Sequence, residues 1–204
     1  FQQTKKRVAS RGNFLQLFWP PHRLRRYAAV VLVGVPIWYV IGLLISRADV
    51  FGVALGLAKA PDPAYAVLFA YSALVLGDFS CGGLSQIMKS RRRALFLYLV
   101  FTVLATVAYF TLGGRSPGWF YGMCALVGFG AGYWAVFVTV ASEQFGPNLR
   151  ATATTTAPNF VRGSVSLQMG IFDATREALG PVMSGALIGL GVFVIAFGAL
   201  GFIH

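Results

Sequence analysis

Acidic residues are scarce: the 204-residue chain has six Asp and Glu, and charged residues of both signs make up only 11% of it. A water-facing surface of ordinary charge density cannot be assembled from so few, whereas a lipid-facing one can. Histidine occurs twice, at His22 and His204, in flanking sequence at opposite ends. The two cysteines, Cys81 and Cys124, each sit inside an apolar run with no Cys-x-x-Cys spacing and no nearby His, so they read as packing residues. These shortages leave no Ser-His-Asp or Cys-His arrangement, no paired catalytic carboxylates and no metal-ligand spacing. The expectation is a protein that is not an enzyme and has neither a metal site nor a cofactor.

What the chain does have is apolar length. Hydrophobic residues make up 57% of it, and six stretches could cross a hydrocarbon core of about 30 Å, which takes roughly 20 helical residues. They are residues 27–46, 64–88, 94–114, 116–142, 151–175 and 181–203, and they predict an all-α membrane protein with a six-helix transmembrane domain over residues 27–204. Pro36 predicts a kink near the middle of the first stretch. The fifth is the least apolar and has Arg162 inside it. Glycine is abundant, and Gly128-Phe-Gly-Ala-Gly132, with Gly185 and Gly189, puts small residues on helix faces that can approach closely. No strand precedes that run and no Lys follows it, so it reads as a packing surface rather than a phosphate loop.

The net charge of +11 raises the question of nucleic acid, and the placement of the charge answers it. Of 17 Lys and Arg, seven precede residue 27 (Lys5, Lys6, Arg7, Arg11, Arg23, Arg25 and Arg26), and Lys89, Arg91, Arg92 and Arg93 form a second cluster. Both clusters flank apolar runs, as cytoplasmic loops do, and nothing resembles a groove-reading helix, so nucleic acid is not an expected partner. With six spans, 12 basic residues fall on one side against Arg47, Lys59, Arg115 and Arg176 on the other, which puts both ends in the cytoplasm. Residues 1–26 form a basic cytoplasmic segment. Within it, Asn13-Phe-Leu-Gln-Leu-Phe-Trp19 reads either as an amphipathic helix on the inner interface or as a flexible linker.

An ionisable side chain at bilayer depth is costly and therefore a candidate functional residue. Asp78, near the middle of the second stretch, reads either as a proton-coupling or substrate-facing carboxylate or as an acid permanently hydrogen-bonded to a neighbouring helix. Arg162 reads as a clamp of the cytoplasmic gate or as a substrate contact, and a direct Asp78–Arg162 pair is allowed but not required. Trp38, Tyr39, Tyr71, Tyr133 and Trp134 lie near the same depth. Each offers a flat apolar face with one polar handle, suited to a pocket for a small organic solute, although most aromatic residues in spans simply pack.

Two stretches carry a family resemblance. Gly77-Asp-Phe-Ser-Cys-Gly-Gly-Leu-Ser-Gln-Ile-Met-Lys-Ser-Arg-Arg-Arg93 resembles the loop between the second and third helices of each half of major facilitator superfamily transporters. Glu143-Gln-Phe-Gly-Pro-Asn-Leu-Arg-Ala-Thr152 resembles the signature that follows the fourth helix of a half in the sugar-porter branch, and Asn159-Phe-Val-Arg-Gly163 sits where that branch often has an Arg-Gly pair. The resemblance spans essentially the whole chain and implies the C-terminal six-helix half of a twelve-helix secondary transporter. A half of this kind would move a small organic solute of the sugar or organic-acid class by alternating access, with proton coupling.

The resemblance also implies a cytoplasmic gate network of Glu143, Arg150, Arg91, Arg92 and Arg93, with Arg162 as a member. Gln86 stands where the family usually has an Asp and supplies no charge. The implied partners are the lipid bilayer, a small-molecule substrate, and an N-terminal six-helix half or a second copy of the chain. The implied location is the inner membrane of a bacterial cell. The alternative is a membrane-embedded structural or regulatory module that transports nothing.

Overall fold

The computed structural model describes residues 14–203, which are helical with no strand among them. Lys5, Lys6, Arg7, Arg11, Asn13 and His204 lie outside the described residues. Helix α1 is Pro21–Trp38 and continues as a π-helical stretch, Tyr39–Ile45. Then follow α2 (Ala48–Ala54), α3 (Pro63–Ile87), α4 (Arg91–Leu112), α5 (Pro117–Ala131), α6 (Trp134–Glu143), α7 (Pro147–Leu179) and α8 (Pro181–Leu200). Five of these helices begin with proline, whose missing N–H is no loss in a first turn. Asp62, Ser90 and Ser116 cap α3, α4 and α5 by accepting from the backbone N–H of Ala64, Arg93 and Trp119. Gly180, at φ +81°, makes the one-residue turn between α7 and α8.

Among the described residues, five helical stretches are long and apolar enough to cross a membrane: Pro21–Ile45, Pro63–Ile87, Arg91–Arg115, Pro117–Glu143 and Pro181–Leu200. Helix α7 is longer than any of them at 33 residues, roughly 50 Å, but is not apolar enough along its length. The reason is its exposed face. Thr155, Asn159, Arg162, Ser166, Gly170, Asp173 and Glu177 recur at three- and four-residue intervals, and all are exposed. Ala153, Ala157, Val161, Gln168 and Phe172 are buried on the other side.

Packing exchanges the order of the chain. Helix α1 lies against α7 and α8, at the far end of the sequence, whereas α5 lies against α3 and α4, which precede it, and α6 leans on α7 and α1. The α1–π stretch is the most buried, and α3 has the most exposed surface. Helices α3 and α5 approach to backbone contact, because a Cβ on Gly132 would fall 2.6 Å from the Gly77 Cα and one on Gly128 would fall on the Ala70 carbonyl oxygen.

Several boundaries differ from those read in the sequence. The 116–142 stretch is two helices, broken at Gly132 and Tyr133. Helix α1 starts at Pro21, not at residue 27, because helical hydrogen bonding continues past the apolar boundary through Arg23, Arg25 and Arg26. Of the segment read as an interfacial helix, the described residues 14–19 hold a single 3-10 turn, Phe14–Leu17, instead of an α-helix. Seven residues are too few to sustain an α-helix unaided. The turn is held by side chains instead, with Leu17 buried and the Phe14 ring stacked on Phe160 of α7.

Candidate functional site

Both buried helices, α1 and α5–α6, are irregular partway along. Pro36 cannot donate a helical hydrogen bond, and three residues later the winding widens to π at Tyr39, whose N–H is shared between the Val35 and Pro36 carbonyls. In the other helix, α5 stops at Ala131 and α6 begins at Trp134, so the first N–H groups of α6 lack acceptors within the helix. Asp78 meets them. Its Oδ1 accepts from the Ala135 N–H at 3.0 Å, and the Trp134 N–H lies against the same carboxylate. A negative charge at a helix N-terminus also complements the helix dipole. The glycine contact between Gly77 and Gly132 is what lets the Asp78 backbone come this close.

Arg162 lies at the other irregular helix. Its guanidinium carbon stands 5.1 Å from the centre of the Trp38 ring, and Trp38 meets Trp134 edge-on at 6.4 Å between ring centres. Among the described residues Arg162 has no carboxylate within ion-pair distance, and it is not paired with Asp78. Asp78 and Arg162 each stand fifteen residues after the proline that opens their helix, Pro63 and Pro147, which puts both near mid-length. A cavity of about 200 Å³ lies beside Arg162, lined by Ile37, Trp38, Ile41, Tyr71, Leu74, Trp134 and Arg162.

Three of the five candidate aromatic residues, Trp38, Tyr71 and Trp134, therefore reach this cavity. Tyr39 and Tyr133 do not. The Tyr39 hydroxyl donates to the Gly185 carbonyl at 2.8 Å and the Tyr133 hydroxyl to the Val33 carbonyl at 3.0 Å, both buried. Each ties one helix to another. Tyr39→Phe and Tyr133→Phe should each lower stability by about 1 kcal/mol, the net worth of one buried hydrogen bond. Thermal melts in detergent check this, with the exposed Tyr71→Phe as the control that should not move.

The residues expected at a gate separate into three groups. Arg91 and Glu143 meet: the Arg91 Nε donates to Glu143 Oε2 at 2.7 Å, joining the start of α4 to the end of α6. Both side chains are nearly half exposed, 41% and 47%, so this pair is worth at most about 1 kcal/mol and is easily exchanged. Arg92 and Arg93 turn instead to an open groove beside Phe96, Leu97 and Phe197, while Arg150 and Gln86 are exposed and take no part in an ion pair among the described residues. Arg162 stands apart from the cluster, roughly 22 Å along α7 from Pro147.

The sequence reading missed the opposite end. Asp173 there binds Arg176 at 3.3 Å and Arg47 at 3.7 Å, bridging α7 to the end of the π stretch. It also missed the polar stripe of α7, although the three- and four-residue spacing from Thr155 to Glu177 was open to inspection. Compared with known proteins, the chain matches no protein-family model and no curated relative.

Proposed function

We propose that the chain is a six-helix half of a secondary active transporter of the major facilitator type, with α7 as the fifth of six spans, and that it carries a small organic solute by alternating access. The observation that carries this reading is the exposed stripe of α7. Thr155, Asn159, Arg162, Ser166, Asp173 and Glu177 follow one another for roughly 33 Å, more than the thickness of a hydrocarbon core. Facing lipid, such a stripe would leave an Arg and several hydrogen-bonding groups in hydrocarbon; facing a hydrated path it does not. The exchanged packing supports the reading, since the first helix of each three-helix set lies on the second and third of the other set, as in inverted repeats. Both of those first helices are irregular near mid-depth, where such carriers bind solute.

The ion pairs at the two ends act as exchangeable latches in this scheme, Arg91–Glu143 at one and Arg47–Asp173–Arg176 at the other. Asp78 supplies proton coupling by a local route. A neutral carboxyl is a weaker acceptor than a carboxylate, so a proton on Asp78 loosens the start of α6.

The test needs no known substrate. With Cys81 and Cys124 replaced by Ser, single cysteines introduced by Asn159→Cys and Ser166→Cys should react with a membrane-impermeant maleimide, whereas Leu187→Cys and Leu190→Cys on the exposed apolar side of α8 should not. Adding Glu143→Gln should raise Asn159→Cys labelling from the Arg91 side by at least about threefold, if freeing one exposed pair shifts the balance by roughly 0.7 kcal/mol. Equal inertness of the α7 and α8 cysteines would sink the transport reading and favour a module whose polar stripe is sealed against a partner.

A further inference from the structure

We propose that the cavity beside Arg162 is the subsite for the carboxylate of a small, flat organic monoanion. The proposal rests on the reading of α7 as one wall of a water-accessible path. Four observations define what would fit. Arg162 is the one charged side chain lining the cavity, and no carboxylate of the described residues lies within ion-pair distance of it. Asp78 is engaged with the N–H groups of α6. Trp38 lines the cavity, and its indole N–H is buried with no acceptor among the described residues. Arg and Trp are donors only, and a carboxylate is an acceptor only, so the two needs are met by one group.

Charge and size narrow the class further. The single positive charge of Arg162 is matched by a monoanion, whereas a phosphate or sulfate dianion brings more charge than one guanidinium pairs. The remaining walls are flat or branched and apolar: the rings of Trp38, Trp134 and Tyr71, with Ile37, Ile41 and Leu74. About 200 Å³ is smaller than most drug-sized pockets, so the body that follows the carboxylate is of the size of a single ring. The guanidinium is already held over the Trp38 face, which orients its donors before a ligand arrives and limits the entropy lost on binding. Ser166, one helical turn from Arg162 on the same exposed stripe, is placed to report occupancy.

The experiment uses the Ser166→Cys protein in lipid nanodiscs and measures the rate of maleimide labelling. Benzoate is the probe, with benzamide as its neutral analogue and benzylamine as its cationic one. Benzoate is expected to slow labelling saturably, while the other two leave it unchanged. Adding Arg162→Gln should raise the half-protecting concentration of benzoate at least about 10-fold, the loss of one charge-assisted hydrogen bond. Arg162→Lys, which keeps the charge without the planar fork, should fall between. Protection by benzamide or benzylamine as strong as that by benzoate, or no protection by any of the three, overturns the anion assignment while labelling itself leaves the path reading standing. Absence of labelling at Ser166→Cys without probe fails the path reading instead. The probe comparison is made with Arg162 intact, so it stands even where Arg162→Gln fails to fold.

Discussion

Gly128→Val is expected to lower stability by about 3 kcal/mol or more and to leave little monodisperse protein after extraction. A Cβ at this position falls on the Ala70 carbonyl oxygen and 2.7 Å from the Ala70 Cα. These are backbone atoms of α3, so no rotamer change relieves the contact. The two helices must separate, and with them the Gly77–Gly132 contact one turn further on. In a bilayer no hydrophobic force between helices compensates, since lipid tails are as apolar as leucine, and close packing of small residues is a main source of association. Gly83→Ala on the same helix α3 makes the sign informative. Nothing lies within 4 Å of a Cβ there, so the change should stabilise by roughly 0.5–1 kcal/mol through helix propensity alone. Melting temperatures in one detergent compare the pair; similar losses in both would mean that α3 and α5 do not pack as described.

Asp78→Ala is expected to cost about 2–3 kcal/mol, because it strands the first N–H groups of α6, which have no acceptor within the helix. Asp78→Asn keeps an acceptor oxygen and should lose well under half of that. The same pair separates architecture from coupling. On the proposed transport reading, uptake into vesicles with an imposed pH gradient should lose its gradient dependence in Asp78→Asn, which is fixed in the neutral form, while the protein remains folded. Gradient-driven accumulation by Asp78→Asn equal to that of the unchanged protein would confine Asp78 to capping α6. A loss of stability as large in Asp78→Asn as in Asp78→Ala would show that charge, more than hydrogen bonding, holds the break.

Asp78 also illustrates how far the sequence could be read. An acid inside an apolar run is conspicuous, and both of its readings, a buried structural acceptor and a coupling residue, were available from composition alone. Its partner was not, because the acceptor-seeking N–H groups of Trp134 and Ala135 exist only where α5 and α6 part company. Nothing in Gly128-Phe-Gly-Ala-Gly132 says that a helix will break after it and not continue. That depends on α3 arriving with Gly77 and Asp78 at the same level.

The aromatic candidates show the same division. Trp38 and Tyr39 are adjacent in sequence and chemically similar, but successive residues on a helix point about 100° apart. One faces Arg162 and a cavity, the other is locked under Gly185 and Gly189. Which is which depends on where α7 and α8 settle around α1. Arg91 and Glu143 lie 52 positions apart and meet because α4 begins where α6 ends. Arg92 and Arg93, the next two residues, point elsewhere for the same angular reason.

The scarcity of acidic and other charged residues, together with the apolar runs, was enough by itself to determine a helical chain with several helices fit to cross a membrane, since backbone groups in hydrocarbon must be paired within the segment. It was enough also to single out Asp78 and Arg162, because charge at that depth is visible as an interruption in one dimension. Only the tertiary structure decided that the two are not a pair, that one closes a helix break while the other stands over an indole beside a cavity, and that α7 turns its polar stripe outward. Hydropathy along a chain is a local sum, whereas partners, faces and cavities depend on helix rotation and on contacts between residues far apart in sequence.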